Sequence, residues 1–359
     1  MSTLKRLKEK VVVTTEMVKP TSRSMKAVGA FNPGAAEFGS EVVLLVRVAE
    51  AAAKKRDGYK SSPRFAGEPG RSEIIIDWSD IAREKAVDKK TGRFPFWQWR
   101  LNFVSHLRLA RLSADGFTLK YLDDKPTFYP ECEWESFGVE DCRITPIEGS
   151  YYVTYVAIGL LTGVATALAK TDDFKTFKRL GIIFPQSNKD VVLFPEKING
   201  RYYALHRPMP QHSFSEANIQ IASSPDLEHW GHTEFLMGTN KEPWSSAKVG
   251  AGAPPIKTKD GWLEIYHGVN TRESGGSAGT YSAGALLLDL NNPSRIITRT
   301  KHPILIPQMP YEINGYVGHV VFPEGIVRRG DSVIIYSGCA DTCVSAVEVS
   351  LNDIFNVLK

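Results

Sequence analysis

Apolar and polar residues alternate with period two along most of this chain, and the alternation comes in paired runs. Four pairs are plain: RITPIEGSYYVTYVA (143–157), FPEKINGRYYALHRP (194–208), APPIKTKDGWLEIYHG (253–268) and FPEGIVRRGDSVIIYSG (322–338). Each holds an Ile, a turn containing Gly, and then a strand rich in Tyr, Leu, Val or Ile. Such alternation marks half-buried strands, and the Gly with its charged neighbours supplies a hairpin turn. An earlier segment of the same character, FNPGAAEFGSEVVLLVRVAE (31–50), carries Arg47 and brings the predicted hairpins to five.

A second signal runs between the hairpins. SADGFTL (113–119), KTDDFKTFKRLG (170–181) and SSPDLEHWG (223–231) each place Ser or Thr and Asp in a turn before an aromatic residue. Short polar side chains satisfy turn backbone groups and tolerate unusual torsions. The fourth unit has a strand, an Asn-Pro turn and a strand instead, GALLLDLNNPSRIITRT (284–300). The spacing of roughly 50–60 residues matches one blade of a propeller.

Helical patterns are few: residues 3–10, 79–87 and 351–359 read as short helices. The stretch 51–72 is polar and rich in Gly and Pro, and reads as a long loop within the first blade. These features predict an all-β fold, a five-bladed β-propeller with short peripheral helices, spanning 1–359 as one catalytic domain with 1–30 as an N-terminal extension. A β-sandwich with a second domain is the main alternative. A parallel α/β fold is disfavoured because crossover helices are missing.

Composition narrows the function classes. The chain has 359 residues, 42% hydrophobic and 23% charged, with a formal charge of +4. That charge is too small for a general nucleic-acid binder, yet it allows a local anion pocket. The basic start MSTLKRLKEK lacks the apolar run of an export signal, and no run reaches the ~18 apolar residues of a membrane helix. With Cys132, Cys142, Cys339 and Cys343 forming no metal pattern, a reduced cytoplasmic setting with inert thiols is expected. No nucleotide loop occurs, and His106, His206, His229 and His319 show no ligand spacing. No metal and no cofactor is therefore the expectation; a homo-oligomer such as a dimer is left open.

The flanks of the hairpins meet at one rim and carry the candidate chemistry. Asp141 opens the second unit, where a strand-end carboxylate facing the axis suits general-acid work; capping of a turn is the plainer role. Lys189, Arg207, Lys248 and His267 form a candidate cation cluster for phosphate, against which stand simple salt bridges to Asp190, Glu196 and Glu264. Asn32, Arg47 and Asp341 suit a polyhydroxylated ligand, unless they serve only as turn and bridge. Tyr203, Trp244, Tyr266 and Tyr311 are candidate stacking faces, although most aromatics in such strands are core.

Taken in order, FNPG, LLVRV, GVEDCRIT, KDVVLFPEKINGRYYALHRP, KVGAGAPPI, GWLEIYHGV, GALLLDL, VVFPEG and IYSGCADT resemble glycoside hydrolase family 130 from about residue 31 to 345. The resemblance implies a five-bladed propeller acting on β-linked mannosides, most often as an inverting phosphorylase and in a minority as a hydrolase. It implies that Asp141 is the general acid, acting through a hydroxyl of the bound mannose. It also implies phosphate ligands at Lys189 (often Arg in the family), Arg207, Lys248 and His267, with mannose contacts at Asn32, Arg47 and Asp341. Cys142 stands where the family commonly has Pro. The expected reaction is phosphorolysis of β-1,2-mannobiose and short β-1,2-mannooligosaccharides to α-D-mannose 1-phosphate. The linkage is drawn from overall similarity of the chain to bacterial enzymes of that kind. A β-1,4-mannoside phosphorylase, an inverting β-mannosidase using a base such as Glu216, and a non-catalytic carbohydrate- or protein-binding propeller are the alternatives.

Overall fold

A computed structural model describes residues 3–67, 73–81, 101–210, 216–239, 242–270 and 279–359. Strand β1 (Lys8–Thr14) comes first, followed by β2 (Met25–Phe38) and β3 (Glu41–Ala52). A hairpin of β4 (Tyr59–Ala66) and β5 (Glu73–Asp80) is inserted before β6 (Val104–Leu112) and β7 (Leu119–Leu122). The second blade holds β8 (Gly138–Ile147), β9 (Ser150–Gly159), β10 (Gly163–Thr171) and β11 (Lys178–Phe184). The third holds β12 (Asn188–Leu193), β13 (Tyr202–Pro208), β14 (Ile219–Ser224) and β15 (Gly231–Met237). In the fourth, the inner strand is split into β16 (Lys248–Gly250) and β17 (Ile256–Lys257), beside β18 (Trp262–Asn270), β19 (Thr280–Leu288) and β20 (Ile296–Arg299). The fifth blade is β21 (Val321–Arg329), β22 (Ser332–Cys339) and β23 (Cys343–Ser350), and β1 pairs with its outer strand, so the two ends of the chain meet in one sheet.

Five apolar clusters close these blades into a ring, which makes the fold a five-bladed β-propeller. Leu45 and Leu109 of blade one pack with Ile144 and Tyr155 of blade two. Leu168 and Phe184 of blade two meet Val191 and Tyr202 of blade three. Val192 and Leu205 of blade three meet Val249 and Trp262 of blade four. Ile265 and Leu287 of blade four meet Val333 and Ile335 of blade five, over which the C-terminal helix Leu351–Leu358 lays Leu351, Ile354 and Leu358. Val42 and Leu44 then meet Ile334 and Tyr336, joining blades one and five. Inner and middle strands such as β3 and β18 present alternate residues to the two neighbouring blades and are buried on both faces, not half-buried as alternation predicts, whereas outer strands such as β15 and β20 keep exposed positions.

The five predicted hairpins are all formed, as β2–β3, β8–β9, β12–β13, β17–β18 and β21–β22. The recurring Asp turns are formed too. Asp115, Asp173 and Asp226 each accept two backbone N–H bonds from residues two and three positions on, and Asp289 does the same in the fourth blade. The Asn-Pro unit is thus the same turn with a different flank.

Three local expectations change. Residues 8–10 of the supposed first helix belong to β1, because pairing with β23 satisfies their backbone better than a short exposed helix could. Within the supposed loop 51–72, Tyr59–Ala66 is strand. It pairs with β5, and Phe65, Ile74 and Ile76 pack on Met25 and Val104. Ser79 and Asp80 end β5, while residues 82–87 of the supposed helix 79–87 lie outside the described residues.

Candidate active site

The site is built on β-bulges at the same place in successive inner strands. Register slips at Asn32 in β2, at Asp141 in β8 and at Asp190 in β12, and these residues adopt φ of 49°, 49° and 55°. A bulge leaves one residue unpaired and turns its side chain out of the pleat, and Asn and Asp tolerate that left-handed conformation. In β21 the slip falls at Glu324. Blade four has Gly250 in its inner strand, where a Cβ would collide with Asp190 and His267. The result is a ring of polar side chains around the propeller axis.

On one side stands Asp141. Its Oδ1 accepts hydrogen bonds from Asn32 Nδ2 at 2.8 Å and Arg47 Nη1 at 2.7 Å. Arg47 also donates through Nη2 to Glu140 at 2.7 Å and through Nε to Ser105 at 3.2 Å, and lies over the Phe31 ring. Burial pushes the Asp141 carboxyl up, but Arg47, Lys189, Arg143 and the Asn32 bond outweigh it and hold it below the usual carboxylate range. Asp341 lies in the turn between β22 and β23 with φ of 54°. Burial, together with Asp141 and Glu140, raises its carboxyl to about 6 despite the attraction of Arg47.

Across the axis stands the phosphate-site candidate. Lys189 and Arg207 are register partners on β12 and β13, as the hairpin reading required. Arg207 Nη2 meets Asp190 Oδ2 at 3.0 Å, while its buried Nε and Nη1 have no hydrogen-bond partner among the described residues. His267 Nε2 lies 3.5 Å from the same carboxylate, and Lys248 Nζ donates to Tyr281 Oη at 2.5 Å. Burial lowers Lys248 to about 8, with Arg207 and Lys189 adding repulsion. Burial takes His267 to about 3, with Arg207 and Lys248 contributing, so His267 is a neutral hydrogen-bonding group and not a fourth cation.

Arg143 joins the two sides. It is 1% exposed, donates through Nη1 to the Asp141 carbonyl at 2.9 Å and through Nε to the Gly252 carbonyl at 3.1 Å, and approaches Glu324 at 3.1 Å and Asp190 at 3.5 Å. One guanidinium thereby ties four blades together at the axis. Burial pushes Glu324 well above the usual carboxylate range, with Arg143 opposing only in part.

The structure brings Asn32, Arg47, Asp141 and Asp341 into one group and Lys189, Arg207, Lys248 and His267 into another. Of the salt-bridge partners weighed against the cluster, Asp190 is indeed paired with Arg207. Glu196 instead binds Lys257 at 2.5 Å, and Glu264 accepts from the Gly252 N–H. Glu216 is exposed and accepts from Thr239, outside the ring. Tyr203, Trp244 and Tyr266 pack in the cluster between blades three and four, so they are core and not stacking faces. Tyr311 is half-buried beside Glu312 in the short helix Pro310–Ile313. Sequence reasoning passed over Glu140, Arg143, Glu324 and Tyr281. A charged residue inside an apolar strand was the available signal for the first three.

Comparison with known proteins shows the family of the chain. Residues 102–359 match the family profile of glycoside hydrolase family 130, described as beta-1,4-mannooligosaccharide phosphorylase. The β-1,2-mannobiose phosphorylase of Listeria innocua is 40% identical over 99% of this chain and 98% of its own. A solved structure of that enzyme with β-1,2-mannobiose superposes with a TM-score of 0.86 at 39% identity, covering 97% of this chain and 96% of the other. A 1,2-β-oligomannan phosphorylase of Thermoanaerobacter is 39% identical over 70% of this chain and 81% of its own. On its sequence and its fold, this chain belongs to glycoside hydrolase family 130.

Proposed function

We propose that this chain is an inverting phosphorylase of β-1,2-mannosides. It converts β-1,2-mannobiose and short β-1,2-mannooligosaccharides to α-D-mannose 1-phosphate and an acceptor shortened by one mannose. The observation that carries the reading is the pairing of a buried carboxylate on blade two with a buried, partly unpaired cationic group on blades three and four. Inverting hydrolysis needs a second carboxylate to activate water. Phosphate is already a nucleophile and needs cations to hold it.

In this reading a phosphate oxygen attacks the anomeric carbon from the side of Lys189, Arg207 and Lys248. The glycosidic C–O bond breaks, and the leaving oxygen takes a proton relayed from Asp141 through a mannose hydroxyl. Asn32, Arg47 and Asp341 hold that mannose. The Asp141 carboxyl is ionised in the free protein. Phosphate near Lys189 offsets part of the positive charge that depresses it, and a sugar over Arg47 removes water, so substrate binding itself favours the proton. The protein's own cations carry the phosphate charge, so no metal or cofactor is called for. A cytoplasmic location goes with this reading, supported by the four free cysteines.

The test is product analysis with β-1,2-mannobiose, with and without orthophosphate. Mannose 1-phosphate formed only with phosphate is the expected result. Free mannose without phosphate would make the chain a hydrolase, and greater turnover of a β-1,4-mannoside would overturn the linkage.

A further inference from the structure

A cavity of about 740 Å³ lies between the hairpin inserted in blade one and the segment leading into β21, and Trp78, Phe103 and Tyr316 are among the residues lining it. Tyr316 is 57% exposed, and Trp78 and Phe103 are half-buried, so three large rings line a space that no core cluster of the described residues fills. Two contacts link the lining of the cavity to the mannose side of the site. The Phe103 ring lies 5.6 Å from the Arg47 guanidinium. Next to Tyr316, Val317 N–H donates to the carbonyl of Ala340, the residue before Asp341, at 3.2 Å.

Inversion gives this position a chemical meaning. The nucleophile and the leaving group lie on opposite sides of the anomeric carbon. The phosphate candidates sit on blades three and four, so the leaving sugar departs across the axis, toward blade one and its insertion. We propose that this cavity holds the leaving end of the β-mannoside chain, with Trp78, Phe103 and Tyr316 as stacking faces for sugar rings beyond the scissile bond. The occupant is a neutral oligomannoside: the C–H face of a sugar ring is apolar and packs on an aromatic face, while Asn102 and Lys60 in the same lining supply groups for its hydroxyls. The inserted hairpin thereby sets preference for chain length. This assignment rests on the phosphorylase reading above.

The experiment compares Trp78→Ala and Tyr316→Ala with the unaltered protein in phosphorolysis of β-1,2-mannotriose. Each variant should raise KM for the trisaccharide about threefold to tenfold while KM for phosphate and the melting temperature stay unchanged. Calorimetric titration of mannotriose into the same variants carrying Asp141→Asn should show the same loss of affinity without turnover. Unaltered KM and affinity for mannotriose in both variants would overturn the cavity assignment. An equal rise in KM for phosphate would do so as well, because it would mark a general disturbance of the site. If the unaltered protein phosphorolysed no β-mannoside at all, the reading beneath would fall, and the cavity assignment with it.

Discussion

Replacing Asp141 with Asn separates its chemistry from its structural part. At φ of 49° the residue occupies a conformation that Asn adopts almost as readily as Asp, so the bulge in β8 persists. The Asn Oδ1 still accepts from Asn32 and Arg47, at the present 2.8 Å and 2.7 Å, but as a neutral group. Charged hydrogen bonds contribute about 1.5–3 kcal/mol and neutral ones about 0.5–1.5, so the exchange costs on the order of 1–2 kcal/mol. Arg47 keeps Glu140 and is not left unpaired. The melting temperature should fall by about 2–8 °C, taking about 2–4 °C per kcal/mol for a large domain. The proton, by contrast, has no replacement, and general-acid catalysis is worth about 10²–10⁴-fold. Asp141→Asn should therefore lose at least about 100-fold in mannose 1-phosphate release from mannobiose. Asp141→Ala should be less stable still, since Ala in the left-handed region adds about 1–2 kcal/mol of strain. Activity of Asp141→Asn within tenfold of the unaltered enzyme would remove Asp141 from the mechanism. Loss accompanied by collapse of the melting transition would show the role to be structural.

Arg207→Ala should raise KM for phosphate about tenfold or more and leave that for mannobiose nearly unchanged, since charge-assisted bonds contribute about 1.5–3 kcal/mol; equal effects on both would refute the assignment. Lys248 titrates near 8, so it is charged below that value and neutral above it: KM for phosphate should climb above about pH 8, and Lys248→Arg should flatten the climb, whereas a flat profile in the unaltered enzyme would contradict this. Asp341 is raised to about 6 from an unfolded value near 3.8, so the folded state holds its proton more tightly, and the stability this contributes at low pH is lost as pH rises through 6. Asp341→Asn should then stabilise the free protein at pH 8 by up to about 3 kcal/mol in denaturant unfolding, with no gain below about pH 4 and with weaker mannoside binding; no gain at pH 8 would refute the argument. Arg143→Met should destabilise by about 1–3 kcal/mol by leaving the buried Asp141 and Gly252 carbonyls without their donor, while Asp190 keeps Arg207, and no measurable cost in the same unfolding experiment would deny it the axial role.

Much of the architecture could be read from local pattern because a propeller is a local fold. Each blade is a run of hairpins, and the turns that join its strands are written in neighbouring residues. The Gly turns and the Asp turns at 115, 173, 226 and 289 all use contacts within a few positions of each other. The candidate residues were found at strand ends and inner strands for the same reason. Three features depended on contacts far apart in the chain. Strand β1 forms because β23 offers an open edge more than 300 residues later, which is why residues 8–10, read locally as the end of a helix over 3–10, are strand. The φ values that turn Asn32, Asp141 and Asp190 toward the axis belong to bulges, which register against a partner strand creates and composition does not announce. Finally, the charge states are properties of the assembled ring. Arg207 and Lys248 repel the proton of His267, burial removes its water, and the group that sequence alone counts as a cation is neutral. Residue type determines which charges are available; only the packing of five blades decides which of them survive at the axis, because desolvation and pairing act across blades and not along the strand.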